Sequence, residues 1–201
     1  WLSELKRRRR PDDAKKPFCN AEQLQAIEAV ATRVKEELLH EADPRQNSFA
    51  EPLRWMVHGG PGTGKTKYVI KIIKKELFEG VLKWDMGVNF QIVALQAVMA
   101  ELLGGDTIHH ACGIPVFNGR ECHDEDLQTH LAIAKRVLQW RWLIIDEISM
   151  VSAKLFAEMD VKLRRVIRDI GTAKCKRSGA ERPFGGLNVI ISGDFWQLEP
   201  P

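Results

Sequence analysis

The sequence predicts an α/β fold built on a parallel sheet with helices on both faces. Three observations carry that expectation. Four short apolar runs, LRWMVH (53–58), NFQIVA (89–94), RWLIID (141–146) and LNVIIS (187–192), lack strict alternation. Strands covered on both faces read this way. Amphipathic helical patterns separate the runs, and strands alternating with helices imply parallel crossover units. The first run also ends on a glycine-rich turn, HGGPGTGKT, that leads directly into a helical pattern.

Residues 1–18 come first and read as a basic, flexible tail. The whole chain of 201 residues has a formal charge of +3, yet residues 1–17 alone carry seven cations against three acids. The remainder is close to neutral, so the body gives no charge argument for nucleic acid. KRRRRPDDAKK reads as a nuclear import signal, a phosphate-binding arm or an ordinary solvated linker. From Ala21 to about Leu39, Leu24, Ile27, Ala31, Val34 and Leu38 recur at three- to four-residue spacing, which predicts an amphipathic helix. Further helices are expected over residues 65–78, 125–138 and 153–170, each with apolar positions on one side.

A hydrophobic content of 44% and a charged content of 28% are those of a globular domain. No apolar run approaches the roughly 18 residues of a membrane span, and no signal-peptide pattern opens the chain. The four cysteines are scattered. The pair Cys122-His123 lacks the companion spacing of a zinc site, so free thiols in a reducing compartment are expected.

Three motifs carry chemistry. In the first, Gly59, Gly60, Pro61, Gly62, Thr63, Gly64, Lys65 and Thr66 satisfy the G-x-x-x-x-G-K-T pattern between a strand and a helix. The glycines let successive backbone N–H groups converge on a phosphate at a helix N-terminus. Lys65 sets a cation against the β and γ phosphates, and Thr66 offers a hydroxyl to Mg²⁺. These residues point to a nucleoside triphosphate. In the second, WLIIDEISM (142–150), an apolar strand delivers two acids at its C-terminal end. Asp146 suits a Mg²⁺ contact, and Glu147 suits activation of the attacking water. In the third, LNVIISGDFWQLEPP (187–201), Gln197 follows another strand, where it would sense the γ-phosphate, while Asp194 bonds within its loop.

GGPGTGKT, GGDTIHHACGI, LIIDEISMV and RPFGGLNVIISGDFWQLEPP, in that order, resemble the Pif-type (petite integration frequency) helicases of superfamily 1B over about residues 18–201. The resemblance implies a RecA-like P-loop NTPase domain over residues 19–201. It also implies an ATP-dependent 5′-to-3′ DNA helicase, with genome maintenance (repair, recombination, telomeres) as its setting. The nucleus, or alternatively the mitochondrion, is the implied compartment. Gln23 matches the family's adenine-reading glutamine, and Thr107 and His109 match positions that touch single-stranded DNA. The family's Pro-Thr-Gly turn, which grips a DNA phosphate, is replaced here by Leu95, Gln96 and Ala97, with Gln96 as the remaining donor. Glu199 stands where proline is usual, and residues 111–130 form a shortened DNA-facing segment. The resemblance further implies a second RecA-like domain beyond Pro201 that completes the ATP site and the DNA track. Without it the expectation is ATP binding, slow turnover and no unwinding. Two other classes fit the loop alone: an AAA-type ATPase without unwinding activity, and a non-catalytic, nucleotide-dependent DNA-binding module.

Overall fold

The computed structural model describes residues 1–8, 19–43, 51–115, 127–170 and 179–196, with the side chains of 127–130 and 167–170 left out of account. Five parallel strands form one sheet in the order β1-β5-β4-β2-β3: β1 (Arg54–His58), β2 (Phe90–Ala94), β3 (Asp106–Thr107), β4 (Trp142–Ile145) and β5 (Asn188–Gly193). The four expected strands are present within a residue or two. β3 was not expected; its two residues pair only as Val93 with Asp106 and Ala94 with Thr107.

The central strands read as unbroken apolar runs because neighbouring residues serve two cores. Leu143 and Ile145 of β4 and Val93 of β2 face one side, under α4 (Ile108–Cys112), α5 (Leu127–Val137) and α6 (Ala153–Ile170). Trp142 and Ile144, with Phe90, Ile92 and Ile190, face the other. That second face is covered by α1 (Leu2–Arg7), α2 (Ala21–Ala42) and the helix that leaves the glycine-rich loop. A short α3 (Ala97–Leu102) follows β2.

The helix after the loop differs from expectation in its winding. It runs as two π-helical stretches, Lys65–Ile70 and Ile73–Val81, with bonds five residues apart, such as Lys71 N–H to the Thr66 carbonyl and Leu82 N–H to the Leu77 carbonyl. The wider turn still delivers Val69, Ile70, Ile73, Leu77 and Phe78 to the core.

Residues 1–8 correct the flexible-tail expectation. α1 packs Leu5 into the second core, and Arg8, 9% exposed, makes two bonds to Glu76 at 2.8 and 3.0 Å and one to Glu4 at 2.9 Å. Lys6 pairs with Glu28, and the Trp1 indole N–H donates to Glu76. Those cations are therefore neutralised within the fold. Residues 9–18, with the rest of the basic run, lie outside the described residues.

At the N-terminal end of the strands, Asn188 ties the layers together. Its amide oxygen accepts from Arg33 Nε at 2.9 Å and Leu53 N–H at 2.8 Å; its amide nitrogen donates to the Arg141 carbonyl at 3.1 Å and to Glu37. Burial pushes the Glu37 carboxyl up, against the opposing pull of Asn188, Arg33, Trp142 and Arg141.

Candidate active site and nucleic-acid face

The loop after β1 is shaped by two glycines in the left-handed region, Gly62 (φ 71°) and Gly64 (φ 81°). At Gly64 a side chain would also meet the Tyr68 ring at 2.3 Å and the Gln23 amide at 3.3 Å. The bare backbone lets the chain turn sharply into Lys65. The Lys65 ammonium donates to the carbonyls of Gly59 and of Gly60, the latter at 3.0 Å, which fixes its charge over the loop. Thr63 closes the turn by donating its hydroxyl to the Gly60 carbonyl at 2.8 Å.

Gln23 sits at the start of α2. Its backbone N–H bonds Asn20 Oδ1 at 2.8 Å, its Oε1 accepts from Asn20 N–H at 2.9 Å, and its Nε2 donates to the Thr63 carbonyl at 2.8 Å. The first two bonds form a capping box; the third fastens the helix to the glycine-rich loop. Between them opens a cleft of about 510 Å³. Trp55, Val69 and Ala26 give it apolar walls, and Gln23, Thr63 and Lys65 give it a polar end. A purine base has this mixture of flat apolar faces and amide-like edges.

Thr66 and Asp146 meet directly: the threonine hydroxyl donates to Asp146 Oδ2 at 3.2 Å. Asp146 is 4% exposed, and its Oδ1 is buried with no partner in the structure. A buried polar oxygen is costly unless compensated. The donor set, a hydroxyl and a carboxylate beside a phosphate loop, fits a hard divalent cation such as Mg²⁺. Glu147 follows at φ 53°, an uncommon conformation for a non-glycine residue. Burial first, then the charges of Asp146 and Asp194, push the Glu147 carboxyl above its ordinary range, and Lys65 opposes them. A carboxylate raised in this way is a better proton acceptor near neutral pH.

Asp194 is fully buried at the end of β5. Its Oδ1 accepts from Trp196 N–H at 3.0 Å, as the expected loop bond requires, while Oδ2 is buried without a partner. Phe195 stacks on His58, ring centres 6.2 Å apart, and so binds this loop to the start of the phosphate loop. Gln197, Glu199, Cys122 and His123 lie outside the described residues. Cys19 and Cys112 are buried thiols, pushed up to about 11 and about 12 chiefly by that burial. Among the described residues no cluster of metal-binding side chains occurs.

The three candidate DNA contacts lie on the same edge, farther along. Gln96 is exposed two residues past β2, and Thr107 ends β3, whose partner is Ala94. Thr107 also caps α4, its Oγ1 accepting from His110 N–H at 3.3 Å. His109 is half-buried one step on; His110 pairs with Asp106. With strands about 4.8 Å apart, Thr107 stands roughly 19 Å across the sheet from the phosphate loop.

A parallel sheet with a phosphate loop after an edge strand, and an acid pair two strands away, is the RecA-like P-loop class of fold. The chain belongs to the PIF1-like helicase family, whose model matches residues 44–201. It is 30% identical over 149 residues to the ATP-dependent DNA helicase PIF1 of Trypanosoma brucei brucei, a match covering 72% of this chain and 13% of that protein. Among solved structures it resembles the Pif1 helicase of Candida albicans (TM-score 0.63, 23% identity, 92% of this chain and 34% of that one). It also resembles the Pif1 helicase of Bacteroides in complex with ADP-AlF3 and ssDNA (TM-score 0.53, 27% identity, 83% and 33%). The chain thus spans about an eighth of the curated relative and a third of the solved chains. No helix among the described residues is long and apolar enough to cross a membrane.

Proposed function

We propose that this chain is the first RecA-like motor domain of an ATP-dependent 5′-to-3′ DNA helicase. In this reading it binds Mg-ATP between the phosphate loop and Asp146–Glu147, and single-stranded DNA across Gln96, Thr107 and His109. The observation that carries the reading is the Thr66–Asp146 contact, with a buried unpartnered carboxylate oxygen beside it. The ADP-AlF3 and ssDNA held by the Bacteroides relative support both ligands.

The residues divide the work as follows. The N–H groups of the glycine-rich loop and Lys65 bind the phosphates. Gln23, held against Thr63, sets the loop's position and presents the remaining N–H of its amide to the base. Thr66 and Asp146 would hold Mg²⁺, which when bound supplies charge neutralisation at the terminal phosphates. Glu147 orients the attacking water and takes its proton. Gln197 is assigned to sensing the γ-phosphate. A second RecA-like domain of the longer protein completes the ATP site and the DNA track. The process served is DNA repair, recombination or telomere maintenance, in the nucleus.

The test is Mg-ATP turnover, with and without single-stranded DNA, by this chain and by the longer protein. Strong DNA stimulation confined to the longer protein is expected, with slow turnover and no unwinding by this chain alone. DNA-independent turnover in both would overturn the helicase reading in favour of another P-loop ATPase.

A further inference from the structure

Where β4 and β5 end, four side-chain oxygens are buried without a hydrogen-bond partner: Asp146 Oδ1, Ser149 Oγ, Ser192 Oγ and Asp194 Oδ2. Their residues are only 4%, 5%, 0% and 0% exposed. Buried oxygens are rarely left unpaired, so four at one place mark a site that something polar fills. Asp146 already belongs to the candidate cation site; Ser192 does not.

The sheet register decides which of these oxygens face one another. β5 pairs with β4 as far as Ile191 and Ile145, and with β1 at Ser192 and Val57. The Asp146 N–H still bonds the Val93 carbonyl of β2, so β4 keeps its course for one residue more. That step sets Ser192 beside Asp146 on strands about 4.8 Å apart. Alternation puts the two side chains on one face: Ile144 and Ile190 enter the second core, Ile145 and Ile191 the first, and the next residue of each strand returns to the second. The Asp146 bond to Thr66, on the helix covering that face, agrees. Ser149 follows a residue of the other face. Ile148 packs in the first core, and its side chain lies 2.6 Å from where a Cβ on Gly193 would stand. Asp194 already gives Oδ1 to the Trp196 N–H, and a carboxylate has no proton to offer another. Apart from Thr66, the hydroxyl in register with Asp146 is that of Ser192.

We propose that Ser192 is a positioning residue of the cation site. Through a shared water its hydroxyl holds Asp146 Oδ1, and so keeps the carboxylate and the Thr66 hydroxyl turned toward hydrated Mg²⁺. The inference rests on the Mg-ATP reading of this site. Mg²⁺ demands near-ideal octahedral geometry and gives up its waters reluctantly, so a carboxylate free to swing holds it poorly. Partners behind a metal ligand fix its orientation and are typically worth about 10–100-fold in metal affinity or activity. A water suits the place because Asp146 Oδ1 and Ser192 Oγ are buried neighbours that do not bond each other directly. The competing role is that of a small residue filling space beneath the loop helix, in which case shape matters and the hydroxyl does not.

The experiment titrates N-methylanthraniloyl-ADP, a fluorescent nucleotide, against this chain over a series of Mg²⁺ concentrations and, separately, in EDTA. Ser192→Ala removes the hydroxyl; Ser192→Cys keeps the shape but offers only a weak S–H donor. Both variants are expected to need about tenfold more Mg²⁺ for half-maximal tightening of nucleotide binding. Binding in EDTA should change by less than about twofold, since Ser192 acts through the cation's ligand alone. Without nucleotide, Ser192→Ala should melt no higher than the unsubstituted chain, because a hydroxyl that is held contributes to stability. A higher melt would reveal an idle buried hydroxyl and overturn the proposal. A cysteine variant that matches serine overturns it as well, as do equal losses with and without Mg²⁺, which would make Ser192 a packing residue. If Asp146→Asn abolishes the Mg²⁺ response while Ser192→Ala leaves it intact, the cation site stands and the role of Ser192 falls. If nucleotide binding by the unsubstituted chain does not respond to Mg²⁺, both fall.

Discussion

Gly62 and Gly64 lie two residues apart in the same loop and share the left-handed backbone, yet their surroundings differ. A methyl group at Gly62 would meet nothing within 4 Å; one at Gly64 would stand 2.3 Å from the Tyr68 ring. Both alanine variants therefore pay the left-handed penalty, about 1–2 kcal/mol. Only Gly64→Ala also pays for overpacking, a further ~1–3 kcal/mol. For a domain of this size 1 kcal/mol moves the melting temperature by roughly 2–4 °C. Gly62→Ala should therefore melt about 2–8 °C lower and Gly64→Ala about 4–20 °C lower, measured by circular dichroism without nucleotide. The ordering is the sharper test than either value. Gly64→Ala must also disturb the Gln23–Thr63 link, since the new methyl would sit 3.3 Å from the Gln23 amide nitrogen. Equal melting shifts for the two variants, or a milder effect at Gly64, would refute the packing argument.

Two further outcomes follow from the same structure. The Glu147 carboxyl is raised by burial, Asp146 and Asp194, so its contribution to stability is complete below the unfolded value of about 4.3 and is lost as pH rises through the folded value. Glu147→Gln should therefore melt above the unsubstituted chain at neutral pH, with the gap closing as pH falls toward about 4; an unchanged or lower melt at neutral pH refutes this. At the opposite strand ends, Asn188→Ala removes the shared acceptor of Arg33 Nε and Leu53 N–H. At about 1–3 kcal/mol for each buried donor left unmet, the cost for the two donors is about 2–6 kcal/mol by urea denaturation; a loss under about 1 kcal/mol would contradict the network.

What could be read from the sequence divides by the range of the interaction. The placement of Lys65, Thr66, Asp146 and Glu147 at strand ends was legible because each motif is local and its flanking strand announces itself. The central strands were legible because Leu143, Ile144 and Ile145 are all fully buried between two helical layers. β3 escaped because two residues carry no period, and α4 because five residues span little more than one turn. The Gln23 bond to Thr63 joins residues 40 apart, and nothing in either segment specifies the other. The packed start of the chain was hidden by its charge. Trp1, Leu2 and Leu5 share a helical face, a signal outweighed by the basic run that follows.

The arrangement of the site constrains how its halves communicate. Thr66 bonds Asp146, the Asp146 N–H bonds the Val93 carbonyl at 2.9 Å, and Val93 and Ala94 pair with Asp106 and Thr107. This hydrogen-bonded path from phosphate loop to candidate DNA face is contiguous, but it runs through the buried centre of the sheet. Ile92, Val93, Ile144 and Ile145 are wholly buried, and an interior packed at crystalline density resists gradual deformation. A nucleotide-dependent shift at Asp146 therefore cannot be absorbed strand by strand across roughly 19 Å of sheet. The sheet acts as a beam that holds Gln96, Thr107 and His109 at fixed separation from Lys65. On the proposed helicase reading, movement of DNA relative to this unit would come from rigid-body displacement against another domain, the hinge or shear class of motion, rather than from rearrangement within it.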